Sequence, residues 1–426
     1  MSSEPTDGSP NKFRSDVAWN FASLAVLGVS GIALNVLIGL HWDAATLGVF
    51  NQALAAYIFF SQAAVGGINL SALRAIAEQP LDRAHVSRVV WACLLPTTLL
   101  ASLVTAAYWF ARDPLGAMLD SPAVAEAIAW SAPGLFFFAI NKVLMSVTNG
   151  LGRMRAFAIF TSTRYLGILI ALLVAMRLEM PGARLAYVFS AAEAFLFLVL
   201  AVDVGRAIDW SRPCELSRAV RDHVAYGMKS VLSGVLLELN AKVDIWMIGV
   251  FLSDKLVGVY TFAAMIAEGV FQLLIVLQNN YNPVLARLLA RRDFVTLKSV
   301  VNKGRKWTYA GLAAVAVIAV LLYPVALSIL TNKPAFEESW MPFGLLMAGI
   351  VVASGYIPFG QTLLMANQPG WHTLLMILIV IVNVIGNWIL IPLFGLNGAA
   401  AATAISMGAS VVFLKLMVKR RVGVWI

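Results

Sequence analysis

The sequence contains few charged residues and few cysteines. Only 12% of its 426 residues are charged, whereas soluble domains carry about 25%. Its two cysteines, Cys93 and Cys214, provide no disulfide framework, and its four scattered histidines lack metal-binding spacing. The chain has no P-loop, no dinucleotide fingerprint and no nucleophile elbow. We therefore predict no catalytic residues, no metal site, no cofactor and no ATP-driven step within this chain.

Apolar residues dominate instead: 60% of the chain is hydrophobic and the mean hydropathy is +0.83. A helix crosses a bilayer with about 20 apolar residues. We predict an all-α polytopic membrane protein with twelve spans. The predicted spans are Val17–Leu40, Leu47–Ala72, Val86–Ala111, Val124–Thr148, Ala156–Met176, Ala183–Asp203, Tyr226–Leu252, Leu256–Asn280, Trp307–Leu330, Trp340–Ala366, Trp371–Pro392 and Gly398–Lys419.

Lysine and arginine are distributed unevenly among the loops between these spans. If the N-terminus is cytoplasmic, inside segments hold roughly four times as many basic residues as outside loops, as the positive-inside rule expects. An even number of spans then places the C-terminus in the cytoplasm as well. The formal net charge of +9 is therefore interpreted as a topology signal, which predicts membrane lipids and no nucleic acid as partners.

Short motifs recur in the same order in the two halves of the chain. Leu47–Phe50 opens span two and Val257–Tyr260 opens span eight, while Asn149 after span four matches Asn367 after span ten. We therefore predict two pseudo-symmetric six-helix lobes, related as parallel repeats. The predicted organisation is a disordered cytoplasmic N-terminus (1–16), an N-lobe (17–205), a cytoplasmic linker (206–222), a C-lobe (223–421) and a short tail (422–426).

Several spans contain ionisable residues, each of which costs about 3 kcal/mol at the centre of a bilayer. The cations are Lys142, Arg164 and Lys242, and the carboxylates are Glu193, Glu238, Asp244 and Glu268. Two cations, Lys142 and Arg164, lie at a predicted depth of roughly 10–15 Å from the inner surface.

Two interpretations of these charges are open. One is that they neutralise one another in buried pairs between helices, above all Glu238 with Lys242. The other is that they line a hydrated passage, because buried pairs stabilise weakly and several charges at one depth indicate a shared polar space. For these charges taken together we favour the second interpretation, a hydrated passage with a function. The cations suit a phosphate-bearing ligand, and the carboxylates would balance their charge or bind a coupling ion.

Amide side chains occupy the corresponding region of the second half. Gln361 and Asn383 stand near the repeat equivalents of two of the cations, and Asn387 follows one turn later. An amide-lined lobe opposite a cationic one fits a ligand with an anionic end and a neutral, polar body. The open alternative is that they form hydrogen bonds between helices. Pro358, inside span ten, predicts a kink.

Five segments resemble one known family. Asn383–Ser406 resembles a signature of polysaccharide biosynthesis proteins, the Wzx-type O-antigen and exopolysaccharide flippases of the MATE-like MOP (multidrug/oligosaccharidyl-lipid/polysaccharide) superfamily. Val243–Gly249 with Val257–Tyr260 is similar to the seventh and eighth spans of that family. Gly48–Phe50 is similar to its first lobe, and Asn149–Arg153 to its loop after span four.

The resemblance implies two lobes that open alternately to each side of the membrane. It also implies a cargo, a polyprenyl-pyrophosphate-linked oligosaccharide, moved from the inner to the outer leaflet for O-antigen, capsule or exopolysaccharide synthesis. The expected location is a bacterial cytoplasmic (inner) membrane, with a polysaccharide polymerase and glycosyltransferases as possible partners and proton or sodium coupling. For such a cargo we predict that the diphosphate is bound by Lys142, Arg164 and Lys242. We predict that the sugar is contacted by Gln361, Asn383 and Asn387. The positions of Lys142 and Arg164 are inferred from the residues and are not matches to family motifs.

Two other functions remain open at this point. A cation-coupled multidrug (MATE-type) antiporter needs an essential carboxylate, which Asp244, Glu238 or Glu268 would supply, although the deep cations would repel cationic drugs. A non-transporting membrane scaffold is the third hypothesis, and charges buried in several spans argue against it.

Overall fold

The structure is a computed structural model that describes residues 10–206, 208, 216–331 and 333–425. In these ranges the chain is helical and forms no strand. Its α-helices are α1 (Pro10–His41), α2 (Ala44–Val65), α3 (Ile68–Glu78), α4 (Arg83–Phe110), α5 (Arg112–Met118), α6 (Pro122–Gly150), α7 (Met154–Arg177), α8 (Tyr187–Gly205), α9 (Leu216–Phe251), α10 (Asp254–Ala290), α11 (Phe294–Leu330), α12 (Trp340–Ser354), α13 (Thr362–Met365), α14 (Pro369–Phe394) and α15 (Leu396–Val422).

The predicted all-α membrane fold is confirmed. Eleven helical segments of the described chain are long and apolar enough to cross a membrane. The predicted seventh span lies in α9, which is not among the eleven and whose apolar part contains Glu238, Lys242 and Asp244. The cytoplasmic location of both termini stays a prediction. Residues 1–9 of the predicted disordered N-terminus, residues 207 and 209–215 of the predicted linker, and Ile426 lie outside the described residues.

The chain divides into two compact units. The first comprises Met1–Leu37 and Ala56–Val235, and the second comprises Ile38–Ala55 and Leu236–Ile426. In the first unit α6 packs against α8, α4 and α3, and in the second α15 packs against α14 and α12. The predicted bounds of the lobes and of the linker stay a prediction. Helix α9 begins at Leu216, within the predicted linker.

Side-chain caps fix the starts of three long helices. The Asp82 carboxylate accepts hydrogen bonds from the backbone N–H groups of Ala84 and His85 and thereby starts α4. Ser121 caps α6 and Asp293 caps α11 in the same manner. Such caps satisfy N–H groups that have no partner within the helix, and each contributes about 1 kcal/mol.

The first unit has an apolar core between α3, α4, α6 and α8. Its centre is formed by fully buried side chains such as Ile76, Val90, Val143, Leu196 and Leu200. Pro133 lies within α6 without ending the helix. These contacts fix the positions of α6 and α8, which carry Asn141, Lys142 and Glu193.

The predicted tenth span is interrupted in the second unit. Helix α12 ends at Ser354, a 3₁₀ turn covers Ile357–Phe359, and helix resumes only with α13. Pro358 lies in that turn, where it cannot donate a backbone hydrogen bond, so the predicted kink is a full break. The Gln278 side chain donates a hydrogen bond of 2.7 Å to the Ile357 carbonyl and satisfies one group that the break leaves without a helical partner.

The two copies of the repeated sequence motif pack against each other inside the second unit. A Cβ built on Gly48 would lie 1.8 Å from the carbonyl oxygen of Asp254, and one built on Gly258 would lie 1.8 Å from that of Ala44. Helices α2 and α10 therefore approach each other backbone to backbone, as only glycine permits. Next to this crossing Gln52 Nε2 donates a hydrogen bond of 2.6 Å to Asp254.

Candidate functional site

An ion pair between two helices is buried in the first unit. Arg164 of α7 places its Nε 2.5 Å from Glu193 Oε1 of α8, and its Nη2 donates to Oε2 at 3.2 Å. The two side chains are only 13% and 3% exposed. Asn141 of α6 donates from its Nδ2 to Oε2 of Glu193 and to the Glu193 carbonyl oxygen, both at 2.8 Å. Three helices thus hold one carboxylate and one guanidinium inside apolar surroundings.

A second cation lies beside this pair, over the same aromatic ring. The Lys142 Nζ is 5.4 Å from the centroid of Phe138, and the Arg164 Cζ is 4.8 Å from it. Phe138 precedes Lys142 by four residues on α6, so both lie on one helix face. Lys142 and Arg164 thus place an ammonium and a guanidinium beside one ring, next to the carboxylate of Glu193.

Two buried polar atoms of the same cluster have no hydrogen-bond partner. Apart from Arg164 Nε, which lies in the ion pair with Glu193, they are the hydroxyl of Tyr57 and the Oδ1 of Asn141, counted among the described residues. The Tyr57 ring packs edge-to-face on Phe138 at 5.8 Å and stacks on Phe189 at 5.2 Å. A buried hydroxyl without a partner costs about 1–3 kcal/mol, and here it is a donor available to an anion. We call Lys142, Arg164, Glu193, Asn141 and Tyr57 the N-lobe polar cluster.

The second unit contains a buried carboxylate of a different kind. Asp244 of α9 is 8% exposed. It accepts hydrogen bonds from Tyr260 at 3.0 Å, from Asn387 Nδ2 at 3.0 Å and from Thr403 Oγ1 at 2.5 Å. Within the described part of the chain, no cationic side chain lies at ion-pair distance from it. A carboxylate held only by neutral donors is suited to binding a proton or a small cation.

The predicted sugar-binding amides take part in this second cluster. Asn387 Nδ2 also donates to the Oδ1 and the backbone oxygen of Asn383, both at 2.9 Å, and both residues are buried. Among the described residues, the Oδ1 of Asn387 has no hydrogen-bond partner, so it is an available acceptor beside the carboxylate. Gln361 lies elsewhere and accepts a hydrogen bond of 2.7 Å from Asn282. A role of these three amides in sugar binding stays a prediction.

The remaining predicted residues lie in the second unit at partly accessible positions. Lys242 and Glu238 are half-buried on α9, and Glu268 is exposed on α10. Their predicted roles in diphosphate binding, charge balance and ion coupling stay predictions. The structure thus brings the predicted residues together in two sets, Lys142 with Arg164 and Glu193, and Asp244 with Asn383 and Asn387.

Five contributors were absent from the candidates drawn from the sequence. Asn141, Tyr57 and Phe138 are apolar or neutral and carry no charge signal, although the spacing of Phe138 and Lys142 was a usable one. Tyr260 is the last residue of the repeated motif, but the repeat did not indicate that its side chain binds Asp244. Thr403 stood inside the quoted signature in the same way.

An all-α chain with many apolar spans and two polar clusters buried inside them is typical of multi-pass membrane transporters. Residues 31–289 match the family model described as polysaccharide biosynthesis protein, and the chain belongs to this family. The family predicted from the signature segments is therefore confirmed.

One curated relative and two solved structures illustrate the likeness. The probable low-salt glycan biosynthesis flippase Agl15 of Haloferax volcanii is 24% identical over 187 residues, which are 44% of this chain and 39% of that protein. The chain therefore aligns with only about two-fifths of that relative's length. The lipid II flippase MurJ, in an inward closed conformation, has a TM-score of 0.78 at 13% identity and covers 95% of this chain and 87% of its own.

A multidrug resistance MATE family transporter of the MOP superfamily, inward-facing, has a TM-score of 0.75 at 15% identity. The match covers 93% of this chain and 98% of that one. At such identities the structural likeness establishes the fold alone. The predicted MOP-type fold is confirmed.

Proposed function

We propose that this protein is a flippase that moves a polyprenyl-pyrophosphate-linked oligosaccharide from the inner to the outer leaflet. It would do so by alternating access, without chemical change of its cargo, in cell-surface polysaccharide synthesis at a bacterial cytoplasmic membrane. Membership of the polysaccharide biosynthesis family supports the glycan, and the relative named as a glycan biosynthesis flippase supports the transport reaction.

The observation that carries the proposal is the N-lobe polar cluster, in which two cationic groups lie over one ring. Arg164 presents a planar fork of donors that matches two phosphate oxygens, and Lys142 adds a point charge near the same Phe138 ring. Tyr57 supplies a hydroxyl that has no hydrogen-bond partner among the described residues. An anion with two adjacent phosphates would use all three.

Glu193 lowers the free-energy cost of burying Arg164 when no cargo is bound. An uncompensated guanidinium inside a membrane protein is costly, and the ion pair with Glu193 removes most of that cost. A diphosphate competes with Glu193 for Arg164 because it carries more negative charge and more acceptor oxygens. Binding therefore exchanges one partner of Arg164 for another instead of burying a new charge.

The Asp244 cluster is proposed as the place where an ion couples to transport. Its carboxylate lacks a cationic partner among the described residues, and the free Oδ1 of Asn387 adds a second oxygen acceptor. A proton on Asp244, or a sodium ion beside it, would neutralise the site and favour one arrangement of α9, α14 and α15.

Asp244→Asn is expected to keep the fold and to lose ion coupling. The amide retains the shape of the carboxylate but cannot bind a proton or attract sodium. In proteoliposomes loaded with the lipid-linked glycan, imposed pH or sodium gradients should accelerate flipping by the parent, by about fivefold or more. They should leave the variant unchanged. Glu338→Gln, which removes an exposed carboxylate just before α12 in the same unit, is the control and should respond as the parent does.

Flipping itself is measured in proteoliposomes with three lipids of equal acyl length. These carry the same oligosaccharide through a diphosphate, through a monophosphate or through a neutral linkage. Oligosaccharide that reaches the outer leaflet is cleaved by a glycosidase that cannot cross the membrane. The diphosphate lipid should be flipped at least about tenfold faster than the neutral one, as two lost phosphate contacts require. Equal rates for all three would contradict the proposal.

The same preparation separates this function from multidrug antiport. An antiporter would drive uptake of cationic, apolar dyes against an ion gradient, and the glycan lipid would not compete. For the flippase we expect no gradient-driven dye uptake above that of empty liposomes. Dye transport that depends on Asp244, with no glycan flipping, would replace the flippase proposal by the antiporter.

A further inference from the structure

A group of cations surrounds one tyrosine at the break in the tenth predicted span. Tyr356, 5% exposed, follows the end of α12. Arg305 of α11 donates from its Nη1 to the Tyr356 hydroxyl, and its Cζ lies 5.4 Å from the ring centroid. Lys415 of α15 places its Nζ 5.3 Å from the same ring. Three separate segments of the second unit therefore converge on one aromatic ring.

Aromatic rings extend this arrangement along the end of α15. The Trp425 ring lies 4.4 Å from Lys419 Nζ and 5.9 Å from Lys415 Nζ. Arg421 stacks on Trp371, at the start of α14, with its Cζ 3.7 Å from the ring centroid. In the ranges that the structure describes, no carboxylate lies within ion-pair distance of these cations.

The positive-inside rule accounts for basic residues in the predicted cytoplasmic loops but not for this geometry. Topology requires only that such charges stay on one side, exposed to water, as Lys303 and Lys306 are. Arg305 and Lys415 are instead half-buried against one ring, where like charges repel each other. An anion between them would remove that repulsion.

Apolar surface adjoins the two cations. On α15, Val412 and Leu416 are 53% and 52% exposed and lie one turn apart, on either side of Lys415. On α11, Trp307 is 73% exposed, two residues beyond Arg305. A ligand that fits has an anionic head and an apolar tail, which a free phosphate lacks.

We propose that Arg305, Lys415 and Tyr356 bind the phosphodiester of an anionic membrane phospholipid. Arg305 and Lys415 pair with the phosphate, and the Tyr356 hydroxyl, which accepts from Arg305, donates its own proton to a phosphate oxygen. The acyl chains lie on the apolar surface of α11 and α15. Basic sites between helices at the cytoplasmic side of membrane proteins are suited to such headgroups. This site is separate from the N-lobe polar cluster and does not depend on the proposed cargo.

The test uses the purified full-length protein in a neutral detergent. Lipid binding is followed by native mass spectrometry with dioleoyl phosphatidylglycerol, with dioleoyl phosphatidylcholine and with inorganic phosphate as separate additions. Arg305→Gln/Lys415→Gln is compared with Lys303→Gln/Lys306→Gln, which removes the same charge from exposed positions beside Arg305. We expect phosphatidylglycerol to bind the parent, and the first variant to weaken its binding at least tenfold, while the control changes it less than threefold.

Three outcomes would overturn the proposal. Equal binding of phosphatidylcholine would remove the need for a negative headgroup. Equal losses in the two double variants would indicate a diffuse charge effect. Inorganic phosphate that displaces phosphatidylglycerol completely at equal concentration would indicate a site for soluble anions. If the first double variant does not fold, Lys415→Gln alone is measured, with an expected three- to fivefold loss.

Discussion

Arg164→Gln is expected to reduce glycan export to about 1% of the parental rate. The guanidinium is the group of the N-lobe polar cluster that can bind two phosphate oxygens at once, and losing such a contact costs about 3 kcal/mol, or roughly a hundredfold. Export is measured as surface glycan in cells that lack their own flippase, at matched protein levels, and as flipping in proteoliposomes.

A loss of export in the single variant has a second possible cause, because it leaves Glu193 as a buried, unpaired charge. Breaking a buried pair from one side costs about 3–5 kcal/mol of stability. The double variant Arg164→Gln/Glu193→Gln removes both charges and should restore the unfolding temperature. If Arg164 binds the cargo, the double variant is folded and still inactive. Parental export by the double variant would reduce Arg164 and Glu193 to a structural pair.

The control is a second ion pair of the first unit, between Arg153 at the start of α7 and Asp203 of α8. Arg153 donates two hydrogen bonds to Asp203, at 2.9 and 2.7 Å, and this pair is more exposed, at 38% and 22%. Arg153→Gln/Asp203→Asn also removes one arginine and one carboxylate, but neither residue belongs to the N-lobe polar cluster. Export by this variant should stay within about twofold of the parent, since exposed pairs contribute less than about 1 kcal/mol.

Gly258→Ala is expected to produce a large loss of stability for so small a change. The new methyl group would lie 1.8 Å from the Ala44 carbonyl oxygen, so α2 and α10 must separate. Overpacking of this kind costs about 3 kcal/mol, and more where backbone must move. The expected result is a sharply lower yield of monodisperse protein and a lower unfolding temperature, measured by fluorescence-detected gel filtration after heating.

Gly48→Ala should behave like Gly258→Ala, because its Cβ meets the Asp254 carbonyl at the same distance. Gly344→Ala is the control: Gly344 lies in α12 and nothing lies within 4 Å of a Cβ built there. This change should be neutral or slightly stabilising, as alanine is the better helix former. An unfolding temperature for Gly258→Ala equal to that of the control would mean that the two helices do not pack in this way.

Much of the fold could be predicted because a bilayer limits the possibilities. A span must be helical to satisfy its backbone hydrogen bonds, so long apolar runs such as the one in α14 identify helices without further information. The repeated motif predicted two related halves. It could not predict that its copies pack against each other, because which glycines meet depends on tertiary contacts between residues about 200 positions apart.

The functional residues were predictable only where a charge in an apolar span marked them. This signal found Arg164, Glu193 and Asp244. It could not assign partners, since Arg164 and Glu193 come from different helices and meet only after packing. Neutral contributors such as Tyr57 and Thr403 carry no such cost in a span and gave no signal.

The composition of the second unit has a consequence for how this chain can be divided. This unit includes the early segment Ile38–Ala55. Lys333, from the later part of the same unit, donates hydrogen bonds of 2.7 Å to the carbonyl oxygens of Gly39 and Trp42 in that segment. A fragment produced from a start codon in the predicted linker would lack these acceptors and the Gly48 crossing. We therefore expect that the C-terminal half does not fold properly when it is expressed alone. Complementation by two half-genes would require the N-terminal product to supply the segment Ile38–Ala55 to the second unit.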